Sequence, residues 1–95
     1  MSAETGIEMP RYRCHKEVWA LKIARMERRR LKENEEDDGA VLIIPAEDRY
    51  GSFLVDREYV HKHKPQIGGY YVVYKDGYKS FSPAEAFEDG YTRIP

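Results

Sequence analysis

A tight turn signal between two β-rich runs constrains the fold more than any other feature of the sequence. Asp76-Gly77 separates residues 70–75 from residues 78–81, and both runs are rich in tyrosine, valine or phenylalanine. An Asp-Gly pair flanked by such runs is typical of a β-hairpin with a two-residue loop. The spacing predicts that Lys75 pairs with Tyr78, and Gly68-Gly69 allows the chain to bend as it enters the hairpin.

This register predicts which hairpin side chains share a face. One face would carry Tyr70, Val72, Tyr74 and Phe81. The other would carry Tyr71, Val73, Tyr78 and Ser80. The sequence has eight tyrosines among 95 residues, more than so small a core needs, and tyrosine is favoured at protein interfaces. Tyr71 and Tyr78 are therefore candidates for an exposed partner-binding face, with strand propensity and half-buried packing as the alternative explanation.

Residues 16–26 fit two secondary structures. With period two, Trp19, Leu21 and Ile23 share one face of a strand buried on much of both sides. With a helical period, a helix over residues 16–34 is the alternative. Basic residues then precede the acidic run 33–38, an order that opposes the helix macrodipole, and residues 27–39 offer almost no apolar face. We therefore predict a strand over 16–26, followed by an exposed charged excursion at 27–38.

The remaining elements are predicted from local signals. Val41–Ile44 and Ser52–Val55 are typical of short strands, and Asp56 is placed to cap a brief helix over Arg57–Lys62. Ser82-Pro83-Ala84-Glu85 predicts a second helix with Ser82 as N-cap, Glu85 completing a capping box and Gly90 just beyond the end. The predicted core is Val18, Ala20, Val41, Ile43, Phe53, Tyr70, Val72, Phe81 and Phe87.

These elements define an α+β fold. We expect a small, strongly bent antiparallel sheet of four or five strands with a short C-terminal helix, and the brief helix near residue 57 as a second one. Residues 1–10 are expected to form a flexible tail, because short mixed termini usually fray. Residues 11–95 would then form a single domain.

Composition excludes several classes of function. A chain of 95 residues is too short for a Rossmann or barrel enzyme, and no apolar run approaches the roughly 20 residues of a membrane helix. The net charge is −1, whereas a general polyanion binder carries a positive excess. The one cysteine cannot form an internal disulfide, which indicates an intracellular protein. No nucleophile, acid–base pair or phosphate loop stands out, so we expect neither an enzyme nor a cofactor.

Two clusters carry weaker functional signals. Cys14, His15, His61 and His63 are residue types that bind zinc, but their spacing matches no zinc-finger pattern, and no metal is favoured. Arg28, Arg29 and Arg30 could contact phosphates or a protein partner. The acidic run that follows them offers internal neutralisation, so nucleic acid is an unlikely partner and a mixed-charge protein contact is preferred.

Several motifs resemble those of small uncharacterised proteins encoded by bacteriophages and prophages. The opening is Tyr12-Arg13-Cys14-His15-Lys16-Glu17-Val18, and the ending runs from His63 through Gly68-Gly69-Tyr70, Asp76-Gly77-Tyr78 and Ser82-Pro83 to Gly90-Tyr91. The resemblance covers the chain from residue 11 except the charged excursion, and extends distantly to phage proteins with a PGDYG-type motif. It implies a phage accessory protein in the bacterial cytoplasm, and it implies no catalytic residues.

Two leading functional hypotheses of different kinds follow, and a third is less favoured. The first is a non-enzymatic protein that binds a host or phage protein, for example to modulate the host or block a defence. The second is a structural accessory component of the phage particle that self-associates into a homo-oligomer through strand edges and tyrosines. The third is a small zinc or nucleic-acid-binding module that uses the clusters described above.

Overall fold

The computed structural model describes residues 9–13, 17–28 and 37–94. Seven strands and two short helices follow one another in this part of the chain: β1 (Arg11–Arg13), β2 (Glu17–Arg28), β3 (Val41–Pro45), β4 (Phe53–Val55), α1 (Arg57–His63), β5 (Tyr70–Val73), β6 (Lys79–Ser82), α2 (Ala84–Gly90) and β7 (Thr92–Ile94). All strand pairs are antiparallel. The α+β class is confirmed, but the sheet is larger than predicted.

Strand β2 organises the sheet because it pairs with three other strands. The Ala20 amide donates to the Pro10 carbonyl at 2.9 Å, and the Lys22 carbonyl accepts from the Ala46 amide at 2.9 Å. The Ile23 amide points to the opposite side and donates to the Gly69 carbonyl. Strands β1 and β3 therefore follow one another along one side of β2, and β5 lies along the other side. The predicted strand over 16–26 is confirmed for residues 17–26, and a helix there is wrong. Strand β2 continues to Arg28, into the predicted charged excursion, and residues 29–36 of that excursion lie outside the described residues, as does residue 16.

The strand order resembles that of an OB-type barrel. The order β4-β3-β2-β5-β6, with α1 between β4 and β5, is that of a five-stranded, partly open barrel. The register between β2 and β3 shifts between Ile23 and Arg25, and a bulge of this kind increases the local twist of a strand. Strands β1 and β7 extend the sheet beyond this barrel.

The sheet is covered on both faces, and the described residues form two hydrophobic clusters. The barrel cluster fills the interior and comprises Trp19, Ile23, Ile43, Val55, Tyr59, Tyr71 and Val73. The outer cluster lies under α2 and comprises Val18, Ala20, Tyr70, Val72 and Phe87. Burial of four consecutive residues at 18–21 follows from this double covering, as for strands packed on both faces.

Most of the predicted core is confirmed. Val18, Ala20, Ile43, Tyr70, Val72 and Phe87 are buried. Val41, Phe53 and Phe81 are partly buried and pack against the barrel cluster.

Helix α1 begins as predicted. The Asp56 carboxylate accepts a hydrogen bond from the Tyr59 amide at 2.8 Å, which satisfies one of the N–H groups that a helix start leaves without a partner. The helix ends at His63, and Lys64 adopts the left-handed conformation with φ 48°. No described helix is long and apolar enough to span a membrane.

The hairpin register differs from the prediction by one residue. Val73 pairs with Lys79 and Tyr71 with Phe81, and the Tyr74 amide donates to the Tyr78 carbonyl. Gly77 has φ 89°, and its amide donates to the Tyr74 carbonyl. The loop therefore has three residues, with a glycine bulge that an Asp-Gly pair also permits. A slip of one residue reverses the faces, so Phe81 packs with Tyr71 rather than with Val72.

The start of α2 also differs from the prediction. Strand β6 continues through Ser82, the helix begins at Ala84, and Pro83 is the N-cap without a side-chain hydrogen bond. The predicted capping box is wrong because Ser82 is held in the strand by pairing with Tyr70. Gly90 was predicted to lie just beyond the end of this helix, but it is the last helical residue, and Tyr91 is the C-cap. The Tyr91 ring stacks on Phe87 at 4.5 Å between ring centroids.

Gly69 allows close packing where β5 begins, which gives a prediction. A Cβ atom added at Gly69 would lie 2.3 Å from Phe81 Cζ and 2.9 Å from the Ser82 carbonyl oxygen. We expect Gly69→Ala to lower the free energy of unfolding by about 1–3 kcal/mol, the usual cost of overpacking. Gly90→Ala is the control, since no atom lies within 4 Å of the added Cβ. Urea denaturation checks both, and equal stability of the two variants would contradict the packing role of Gly69.

Candidate functional site

Residues of β4 and β6 line the same two cavities, and we call the opening of the barrel between these two strands the seam. In the described residues, β4 pairs with β3 alone and β6 with β5 alone. A groove of about 490 Å³ enters the barrel interior at the seam. Its walls include Leu21 of β2, Phe53 of β4 and Tyr71 and Val73 of β5. The described part of the chain thus presents an apolar groove beside two strand edges that no described strand pairs with.

The rim of the groove is cationic. Arg49 and Lys79 both line it, and both are exposed. The Arg49 guanidinium lies 5.3 Å from the ring centroid of Tyr50. No carboxylate lines this groove within ranges 9–13, 17–28 and 37–94. An apolar floor with two cations at the rim favours an occupant that has apolar side chains and negative charge.

A second cavity of about 310 Å³ continues along the seam toward α1. It is lined by Val55, Asp56 and Tyr59 from the α1 side and shares Tyr71 and Lys79 with the groove. The Tyr59 hydroxyl donates to the Ser80 carbonyl at 2.6 Å. This hydrogen bond ties α1 to β6 at the far end of the seam.

Tyr71 lies between the two cavities and is not on an exposed face, so that part of the prediction is wrong. Its residue surface is 6% exposed, and its ring lies 4.7 Å from Phe53 and 5.5 Å from Tyr59 between centroids. Burial raises the pKa of its hydroxyl. Among the described residues no group is within hydrogen-bonding geometry of this hydroxyl, which is unusual for a buried polar group.

Tyr78 is exposed, as predicted, but on a different surface. It is 44% exposed and stacks on Tyr74 with centroids 6.1 Å apart. Its hydroxyl lies 3.4 Å from His63 Nε2, and the Lys62 ammonium lies 5.2 Å from its ring centroid. Tyr71 and Tyr78 therefore do not form one exposed binding face, because Tyr71 is buried whereas Tyr78 is exposed beside His63 and Lys62 of α1.

The zinc candidates are only partly described. Cys14 and His15 lie outside the described residues. His61 is exposed, whereas His63 packs between Tyr59 and Tyr78, and burial lowers the pKa of His63. Across the described ranges, no three His, Cys, Asp or Glu side chains come close enough together to hold a metal ion.

The basic cluster is described at its first residue only. Arg28 ends β2, is exposed and forms an ion pair with Asp37, while Arg29 and Arg30 lie outside the described residues. Nearby, Arg25 pairs with Glu27 at 3.1 Å. These pairings agree with the expected internal neutralisation of the basic charge.

Sequence reasoning missed most of the groove residues. Leu21 was placed on a buried strand face without a functional role, and no motif marks Arg49 or Lys79. Leu54, which lines the second cavity, is 51% exposed although it is a strand leucine. An outward-facing leucine between Phe53 and Val55 was the available signal, since such alternation predicts a polar residue at that position.

Comparisons with known proteins give one structural likeness. No protein-family model matches the chain, and no curated protein sequence matches it. The NMR solution structure of the monomeric form of the phage L decoration protein matches with a TM-score of 0.65 and 23% sequence identity. The match covers 97% of this chain and 65% of that one, so the chain spans just under two thirds of its length. The likeness shows a shared fold.

Proposed function

We propose that this chain is a non-enzymatic accessory component of a phage particle, which attaches to the protein shell of the head. The observation that carries the proposal is the fold shared with a phage decoration protein over nearly the whole chain. That neighbour is named a decoration protein of a phage, and we infer the same kind of attachment to a particle for this chain. The resemblance of the sequence motifs to small phage-encoded proteins supports the same origin independently.

Of the two leading hypotheses, the structural one is favoured over modulation of the host. Its place of action would be the particle surface rather than the cytoplasm in which the particle forms. The seam supports a protein contact in particular, because it combines an apolar floor with unpaired strand edges, a combination that protein partners use.

The test is binding to particles. The chain is given a C-terminal affinity tag. It is expressed from its own gene in cells in which the phage particles encoded by the same genome assemble. The particles are then separated from free protein on a density gradient. We expect the chain to migrate with the heads after washing in moderate salt, and to be absent from a parallel gradient of lysate without particles. Quantitative mass spectrometry measures the copies bound to each head.

The result that would overturn the proposal is equally direct. If intact heads form normally and all of the chain remains at the top of the gradient with free protein, it does not attach to the particle. Capture of one host protein from the same top fractions would instead support the first hypothesis.

A further inference from the structure

We propose that the seam binds an extended, acidic segment of a particle surface protein, which adds as a strand between β4 and β6. Acidic here means that apolar side chains alternate with glutamate or aspartate. The identity of the partner rests on the proposed function, whereas the chemistry of the segment rests on the groove alone. Such strand addition supplies affinity through main-chain hydrogen bonds and specificity through alternate side chains.

Backbone geometry is the first argument. Every other described strand edge of the barrel is paired, while β4 and β6 each keep one edge without a strand partner in the described residues. An unpaired edge leaves a row of N–H and C=O groups that an incoming strand can satisfy. Because residues of β4 and β6 line the same two cavities, one segment can pair with either edge and fill the gap between them.

The buried hydroxyl of Tyr71 is the second argument. Its ring lines both cavities of the seam, its residue is more than nine-tenths buried, and its hydroxyl has no hydrogen-bond partner in the described residues. A buried donor without a partner is costly. A main-chain carbonyl of an inserted segment would accept this hydrogen bond, while its apolar side chains would cover Leu21 and Phe53.

Charge is the third argument, and it selects the acidic segment. Arg49 and Lys79 stand at the groove rim without an ion-pair partner in the described part of the chain. By contrast, Lys22 of β2 is paired with Glu88 at 3.1 Å, and Arg93 of β7 is paired with Glu47 at 2.9 Å. Among the described residues that line the two cavities, Asp56 is the one with a carboxylate, and this carboxylate caps α1. Carboxylates of the segment would therefore lie toward Arg49.

The experiment uses two synthetic peptides and the full chain. The acidic probe is an acetylated and amidated seven-residue peptide in which glutamate alternates with valine and leucine. The matched probe has lysine at every glutamate position. We expect the acidic peptide to bind at least about tenfold more tightly at low salt, as for a few exposed ion pairs. Its binding should shift the amide NMR signals of Phe53–Val55 and Lys79–Ser82.

Two test variants and one control variant identify the side chains that bind the peptide. Arg49→Glu with Lys79→Glu should reverse the preference between the peptides, while the control Lys62→Glu with Lys75→Glu, of equal charge change, should keep it. Tyr71→Phe should leave the thermal stability of the free chain unchanged or higher, because it removes a buried hydroxyl without a partner. The substitution should lower the affinity for the acidic peptide by about threefold to tenfold, which corresponds to the loss of one hydrogen bond.

Three outcomes of the peptide experiment would overturn this inference. The first is equal affinity for both peptides, or no binding of either at millimolar concentration. The second is binding that shifts signals around α2 instead of the seam. The third is that the amide NMR signals of the seam residues shift when the protein concentration alone is raised, which would show that a second copy of the chain occupies the seam. If the reversed-charge variant still migrates with heads, the inference fails while the proposed function stands. If the chain binds the acidic peptide but does not migrate with heads, the proposed function fails while the chemistry inferred for the seam stands.

Discussion

Replacing Phe87 with alanine is expected to lower the free energy of unfolding by about 3–5 kcal/mol, the range for a fully buried aromatic side chain. Phe87 is 1% exposed. It stacks on Tyr70 with ring centroids 4.2 Å apart and meets Tyr12 edge-on at 4.7 Å. It is also the one buried residue of α2. The change therefore removes the anchor that holds α2 to the sheet, together with the aromatic contacts around it.

Thermal and urea denaturation, followed by the fluorescence of Trp19, measure this loss. Domains of this size have total stabilities of about 5–15 kcal/mol, so Tm should fall by at least about 12 °C. The control is Tyr78→Ala, which removes an aromatic ring that is 44% exposed and should cost much less. A Tm within a few degrees of the parent chain for Phe87→Ala would show that α2 is not needed to cover the sheet.

Ile43→Ala is the second large effect and tests the barrel cluster. Ile43 is fully buried in the centre of β3, and truncation should lower the free energy of unfolding by about 2–5 kcal/mol. Ile67→Ala makes the same chemical change at a residue that is 63% exposed, and should stay within about 0.5 kcal/mol of the parent. Equal losses at the two positions would contradict the described barrel interior.

The two substitutions also report on different halves of the molecule. Ile43 packs in the barrel cluster, on the face that opens at the seam. Phe87 packs in the outer cluster, on the opposite face of β2 and β5. Because the affected residues belong to separate clusters, the losses should be nearly additive in the double variant, as for distant sites.

The sequence predicted elements whose signals are local and failed where strand pairing decides. Asp56 and the β-rich runs mark α1, β3 and β4 because capping and hydrophobic alternation act within a few residues. Strands β1 and β7 were not predicted. Each has three residues and little apolar pattern, and each is a strand because β2 provides an edge for β1 and β1 provides one for β7.

The hairpin shows how one ambiguous turn changes a functional prediction. Asp76-Gly77 is compatible with a two-residue loop and with a three-residue loop that contains a glycine bulge. The Asp76 carboxylate accepts from the Tyr78 amide at 3.0 Å, which accompanies the longer loop. The resulting register turns Tyr71 inward. Its assignment to a shared exposed face was therefore wrong, while a role in partner binding remains a prediction.

The candidate groove could not be predicted because it depends on strands that do not pair. Leu21, Tyr71, Arg49 and Lys79 come from four separate segments, and no spacing in the sequence links them. What brings them together is the order of strands around β2 and the gap left between β4 and β6. A periodic pattern predicts that a strand is buried, but it does not indicate which edge remains open.

The most direct measurement of the central claim is a cryo-electron microscopy reconstruction of particles that carry the chain. We predict density for an OB-type domain on the outer surface of the head, with the seam against the shell protein and α2 turned away from it. Heads with a bare outer surface, although the chain is abundant when they assemble, would contradict the account.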